Sequence, residues 1–391
     1  MTDLSAFFDP IEPATANVRS QLAPGFWGKQ VEVYEELFPV WEECDLICFG
    51  VETHDENSGS FDAAEEMRQA LYRLTDLGGR IRVVDVGNLK SRESLAGTRE
   101  ALAYALGLIF RAGKQVLILG GNPSLALGIY QAYEGVREQV EYVHIDSALR
   151  MNDIEGFNDD TYNLYVLGEK DPRLFQFAHL GYQRYLVPAA QLQQIREHHH
   201  VALRYGDLSD RIEEAEPLLR NADMVSFDLS AIRRSEAPGG SRSMPGGFSV
   251  VEACRLARYA GIGYQVSALH LTGYDPGMDV GSGTADVAAM LAWYFVEGKQ
   301  NQWNDFPQPD RRNLRRYSVQ LHASIDHIDF FQHPGTDRWW MEVIHPDHLP
   351  DRSPEHTLLI PCTRHDYEFA KTDDIPDRWW LIYARLGERG Q

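Results

Sequence analysis

The chain has 391 residues, 43% of them hydrophobic and 11% aromatic, which suits one large α/β domain or two smaller ones and excludes a disordered chain. Its net charge of −21 argues against nucleic acid or an anionic membrane as a partner of the bulk surface. No basic and apolar leader opens the sequence. Residues 101–110, the most apolar stretch, fall far short of the roughly 20 needed to cross a bilayer, so a cytoplasmic protein is expected.

Short apolar runs rich in β-branched residues recur at 44–51, 80–87, 115–121, 141–146, 223–229 and 265–272. Cys44 and Cys48 in the first run read as core thiols, and the four scattered cysteines suit a reducing compartment. Helical patterns lie between the runs at 63–74, 94–113, 123–133, 249–261 and 284–298. Continuous apolar strands alternating with amphipathic helices predict a three-layer α/β fold, with a central mostly parallel sheet flanked by helices. The histidines at 198–200 read as an exposed loop cluster. Near residue 300 the style changes. Residues 301–313 look like a linker, Pro334-Gly335-Thr336 between two aromatic runs suggests a hairpin, and "DIPDRWWLIYARLGERG" reads as a helix. "DRWW" occurs at 337–340 and 377–380. Both Trp pairs are expected to cover apolar surface on the main domain or a neighbouring subunit, rather than to cage a cation. The predicted organisation is an N-terminal extension (1–40), an α/β domain (41–300) and a Trp-rich C-terminal extension (301–391).

Ligands of open parallel sheets bind beyond the C-terminal ends of the strands. Here those ends carry Gly120-Gly121-Asn122-Pro123-Ser124, then Asp146, Ser147, Arg150, Asn152 and Asp153, then Asp228, Ser230, Arg233 and Arg234, and then Gly273-Tyr274-Asp275-Pro276. Carboxylates and turn-formers repeatedly follow apolar runs, so this edge is expected to be a pocket.

In these segments the chain resembles the ureohydrolase superfamily of arginase, agmatinase and formimidoylglutamase. "LILGGNPSLALG" is similar to that family's GGDHS segment, "VHIDSALRMND" to its D-A-H-x-D segment, and "SFDLSAIRRSEAPGGSRSMPGGFS" to its S-x-D-x-D segment and the loop after it. "VVDVGN" and "GYDP" fit further landmarks. The "SFD-SAIR" pattern and the Trp-rich tail look most like a formimidoylglutamase-like branch. The resemblance implies an arginase-like fold, a two-manganese centre with six ligands, and attack of a metal-activated hydroxide on an amidine or guanidine carbon. It also implies a homo-oligomer.

Residue by residue, that ligand set is incomplete. Asp146 and Asp228 match ligand positions. Pro123 stands for one histidine, Ala148 for the other, and Arg150 and Ser230 for two aspartates. Gly273 replaces a glutamate that would hold a guanidinium group. Two aspartates and no imidazole offer little to two dications, and Arg150 would place a positive charge among them. The expectation is therefore no metal cofactor, with Asp146 and Asp228 as mere remnants of the site. Arg150, helped by Arg233 or Arg234, would replace the cations. The pocket at the former metal site would comprise Asn122, Pro123, Asp146, Ala148, Arg150, Asp228, Ser230, Arg233, Gly273 and Tyr274, with no catalytic residue assigned. A pseudoenzyme with a binding, regulatory or structural role is expected, taking a small guanidino, amidino or carboxylate ligand. The competing readings are an amidine hydrolase with a rearranged or single-metal site, and a metal-free chemistry in the same pocket using Asp146, Asp228, His144, His270 or Tyr274. For His144 and His270 a packed place within the sheet is the favoured reading, and for Tyr274 a place in the wall.

Overall fold

The computed structural model describes residues 3–52, 63–168, 171–303, 305, 307, 311–322, 325–348 and 356–389. Ten strands make the main sheet: β1 (Phe8–Asp9), β2 (Glu32–Val33), β3 (Leu46–Val51), β4 (Val83–Leu89), β5 (Gln115–Gly120), β6 (Val140–Ile145), β7 (Leu174–Tyr182), β8 (Val201–Arg204), β9 (Met224–Asp228) and β10 (Ala268–Thr272). Their order is β1-β4-β3-β5-β10-β9-β6-β7-β8, with β2 also pairing β4. Every pairing is parallel except that of β1 with β4.

The layers follow from the strand composition. Alternate residues of each central strand enter opposite cores, so runs such as Leu46–Val51 are buried throughout. One face carries Leu46, Leu117, Val143, Val225 and Leu269 under helices Ala63–Tyr72, Val250–Ile262 and Gly283–Gln300. The other carries Ile47, Val116, Tyr142, Met224 and Ala268 under helices Leu95–Arg111, Ala126–Gln131 and Ala189–Glu197. The first 40 residues are not a separate lobe, because they supply β1 and β2 to the sheet edge.

Beyond residue 300 the chain forms an antiparallel meander: β11 (Arg315–Gln320), β12 (His327–Gln332), β13 (Trp339–Ile344) and β14 (Thr357–Cys362). The expected hairpin joins β12 to β13, and the expected terminal helix spans Asp377–Arg389. Of the predicted linker, residues 304, 306 and 308–310 lie outside the described residues. Trp339, Trp340 and Trp379 are buried, while Trp380 is 42% exposed. The Trp379 indole donates to the carbonyl of Glu342 at 2.8 Å. The Arg220 guanidinium lies over the Trp340 ring, 4.5 Å from its centroid, and donates to the carbonyl of Trp339.

The reading of residues 198–200 as an exposed cluster needs correction at His200. That side chain is buried, and its Nδ1 accepts from the Phe177 amide at 3.0 Å and from Arg385 at 2.7 Å. Arg385 also donates to the carbonyl of Leu174. A histidine from the core thus clasps the C-terminal helix. Burial and the adjacent Arg385 charge hold His200 neutral, with its pKa lowered to about 2.

Candidate functional site

Asp146 leaves the end of β6 and Asp228 ends β9. The two strands are adjacent and in register up to Ile145 and Phe227, so the carboxylates emerge side by side. Both are essentially inaccessible to solvent, at 0% and 2% exposure. The loop after Asp146 turns back on itself through Arg150, whose φ of 54° is left-handed. That turn folds the guanidinium over its own strand end. Nε donates to Asp146 Oδ2 at 2.6 Å, and Nη2 donates to Oδ1 at 3.2 Å, a fork across both oxygens. Nη2 also reaches Ser230 Oγ at 3.4 Å, and Nη1 reaches Asp160 Oδ1 at 3.4 Å.

Ser230 completes the cluster. Its hydroxyl donates to Asp146 Oδ1 at 2.6 Å, and its amide donates to Asp228 Oδ1 at 2.8 Å. The two aspartates are therefore coupled through one serine, and their charges part. Burial pushes both carboxyls up, but in Asp146 the adjoining Arg150 charge, His144 and the hydrogen bonds from Arg150 and Ser230 together outweigh burial and hold the group well below the usual range. Asp228 rises above it, because burial and the charge of Asp146 exceed what Arg150 returns from farther away.

The expected bridge of both carboxylates by arginine is realised on one side only. Arg150 bonds Asp146 directly and Asp228 only through Ser230. Arg233 and Arg234 take no part. Arg233 is 34% exposed and pairs with Glu236 at 3.5 Å and Glu252 at 3.6 Å, while Arg234 donates to the carbonyl of Ser243. They belong to the loop that leads into the helix at Val250, where Glu252 closes a capping box with Ser249.

The other predicted pocket residues play local parts. Asn122 caps the short turn Pro123–Leu125 by accepting from Ser124. The Ala148 amide donates to Asp146 Oδ1 at 3.3 Å. Gly273 has φ 81°, and a Cβ there would lie 2.0 Å from Asp228 Oδ1. The Asp228 carboxylate thus occupies the space a side chain at 273 would need. The Tyr274 hydroxyl donates to Glu66, away from both aspartates.

His144 and His270 sit inside the sheet, each beside Ser226 in register. The Tyr162 hydroxyl donates to His144 Nε2 at 2.8 Å, His144 Nδ1 meets His179 Nδ1 at 3.0 Å, and His179 Nε2 donates to the carbonyl of Asp146 at 3.0 Å. This chain works with both rings neutral. Burial is the main reason they stay so, and it lowers His179 and His270 to about 4 and His144 further.

A cavity of about 280 Å³ does open at this edge, but on the outer side of Arg150. Its polar wall is Ser147, Arg150, Asn152, Asp160, Gln191 and Arg242; Asp146, Asp228 and Ser230 do not line it. Asp160 accepts from both Arg150 and Arg242. Asp160 and Arg242 were not singled out in the sequence. Their only signals are the polar run "FNDDTYN" and an arginine inside a Gly/Pro-rich loop.

These residues do not fit a two-metal centre. Both oxygens of Asp146 are engaged by Arg150 and Ser230, so a metal ion bound there would have to displace a paired guanidinium. Among the described residues, no group of three or more His, Cys, Asp or Glu side chains is placed to hold a metal ion.

A helix-flanked, mostly parallel sheet that carries two aspartates to its C-terminal edge is the architecture of arginase-type hydrolases. A family model described as the arginase family matches residues 43–297, well over half of the chain, and the chain belongs to that family. Formimidoylglutamase of Salmonella paratyphi C is 24% identical over 256 residues, covering 63% of this chain and 81% of the relative. Among solved structures, Trypanosoma cruzi formiminoglutamase with Mn2+ aligns with a TM-score of 0.59 at 19% identity, over 67% of this chain and 95% of that one. Bacillus subtilis formimidoylglutamase aligns with a TM-score of 0.58 at 16% identity, over 73% and 98%. The chain is formimidoylglutamase-like within its family.

Proposed function

We propose that this chain is a metal-independent pseudoenzyme on the arginase scaffold. The observation that carries the reading is the Arg150 fork on Asp146, closed by Ser230. A guanidinium supplies the positive charge that the buried carboxylate requires, so the fold no longer depends on manganese. It supplies no activated hydroxide, and Asp228, which is buried and does not line the cavity, cannot meet a substrate there. What remains is a binding site. The cavity outside Arg150 presents two arginines, the Asp160 carboxylate between them, two amides and a hydroxyl to a small ligand of the carboxylate, guanidino or amidino class. In a cytoplasmic homo-oligomer the role would be regulatory or structural.

The test is turnover by the full chain of N-formimidoyl-glutamate, agmatine and arginine with excess manganese, followed as formamide, urea or ammonia. The reading expects none. Manganese-dependent product release would instead support an amidine or guanidine hydrolase with a rearranged or single-metal site.

A further inference from the structure

A larger cavity, of about 520 Å³, lies where the core meets the C-terminal meander. Helix Val250–Ile262 forms one wall. The turn between β12 and β13 forms another, and that turn lies beyond the stretch matched to the family. The first "DRWW" segment lines this cavity through Asp337, Arg338 and Trp339.

Three aromatic side chains stand around this cavity: Tyr259, Trp303 and Trp339. Trp339 is a fixed wall. It is 5% exposed and is stacked against Tyr317 and Tyr367, with ring centroids 5.2 and 5.1 Å away. Its indole N–H has no hydrogen-bond partner among the described residues. Trp303 is 59% exposed at the rim.

The charges around the cavity do not balance. The Arg338 guanidinium is held by both oxygens of Asp305 at 2.9 Å and lies 3.6 Å from Glu216. Arg258 is held by Glu297 at 2.6 Å. Glu213 and Asp337 make no ion pair among the described residues, and both line the cavity. Aromatic side chains, above all the exposed Trp303, together with surplus carboxylate attract a weakly hydrated organic cation. The ring quadrupoles act on its charge at short range and the carboxylates at longer range. The volume is within the range of small-molecule sites.

We propose that this cavity binds a small organic cation of the quaternary ammonium class. It is separate from the site around Arg150 and does not rest on the reading given for that site.

The test uses the full chain and two probes of equal shape, choline and its uncharged isostere 3,3-dimethylbutan-1-ol, with binding read by calorimetry and ligand-observed NMR. Choline should bind about tenfold more tightly than the isostere, and added salt should weaken it. Trp303→Ala, at an exposed position, should keep the parent melting temperature and weaken choline about tenfold. Glu213→Gln should weaken it less and flatten its salt dependence. Arg150→Met should leave the choline affinity of the folded protein unchanged. No choline binding, equal affinity for the isostere, or parent-like affinity in Trp303→Ala would each overturn the proposal.

Discussion

At the scale of the residue, Arg150 carries more than its own charge. It compensates Asp146, orders the loop that contains Asp160, and biases the protonation of Asp228. Arg150→Ala leaves Asp146 buried without a counter-charge and should cost about 3–5 kcal/mol in denaturant unfolding at neutral pH. The double variant Arg150→Met, Asp146→Leu removes both charges and should recover much of that loss, because an apolar pair needs no compensation. A parent-like midpoint for Arg150→Ala would place the fork outside the stability of the fold.

The buried histidines make a second prediction at this scale. His270 is lowered to about 4, below its usual 6.5, chiefly by burial. As pH falls through 6.5 the unfolded chain gains a proton that the folded chain refuses. The contribution of His270 is thus present at higher pH and lost on the way to about pH 4. Raised carboxyls such as Asp228 and Asp223 work in the opposite sense, so the check is a difference. The stability of the parent relative to His270→Gln should fall by on the order of 1–3 kcal/mol between pH 7 and pH 4. A pH-independent difference would mean that the ring titrates normally.

At the scale of the element, legibility followed the continuity of the apolar signal. β3 and β5 are nearly unbroken apolar runs, and β9 is interrupted only by the small Ser226 before its terminal Asp228, so their places were readable in the sequence. β7 was not, because Gln176 and His179 interrupt "LFQFAHLGY" with polar groups that are buried only once their partners are in place. His200 failed for the same reason: three successive histidines read as solvent-facing until Arg385, far along the chain, closes on the last of them. The site shows the same limit. Positions 123, 148, 150 and 230 could be judged from residue type once the family resemblance marked them as ligand positions. The pairing of Asp160 with Arg242, 82 residues apart, could not be judged that way. The clasp itself is testable. Arg385→Ala should remove the guanidinium that ties His200 and the carbonyl of Leu174 to the terminal helix, while His200 keeps the Phe177 amide. The terminal helix should then exchange amide protons at least about tenfold faster than in the parent. Unchanged protection would show that the apolar contacts of Trp379 and Ile382 hold the helix without the clasp.

At the scale of the whole molecule, the chain has the fold of its family, and the proposed function is that a guanidinium rather than a metal neutralises its buried centre. The family match spans residues 43–297, and within it the Arg150 fork engages both oxygens of the buried Asp146. Gly273 fits the same account, since the Asp228 carboxylate fills the space where a side chain would stand. The most direct measurement is an equilibrium Mn2+ titration of the full chain, with free ion followed by electron paramagnetic resonance. A centre neutralised by Arg150 should show no stoichiometric binding at micromolar Mn2+ and no rise in melting temperature on its addition. One or two equivalents bound per chain, with a matching rise in melting temperature, would contradict it.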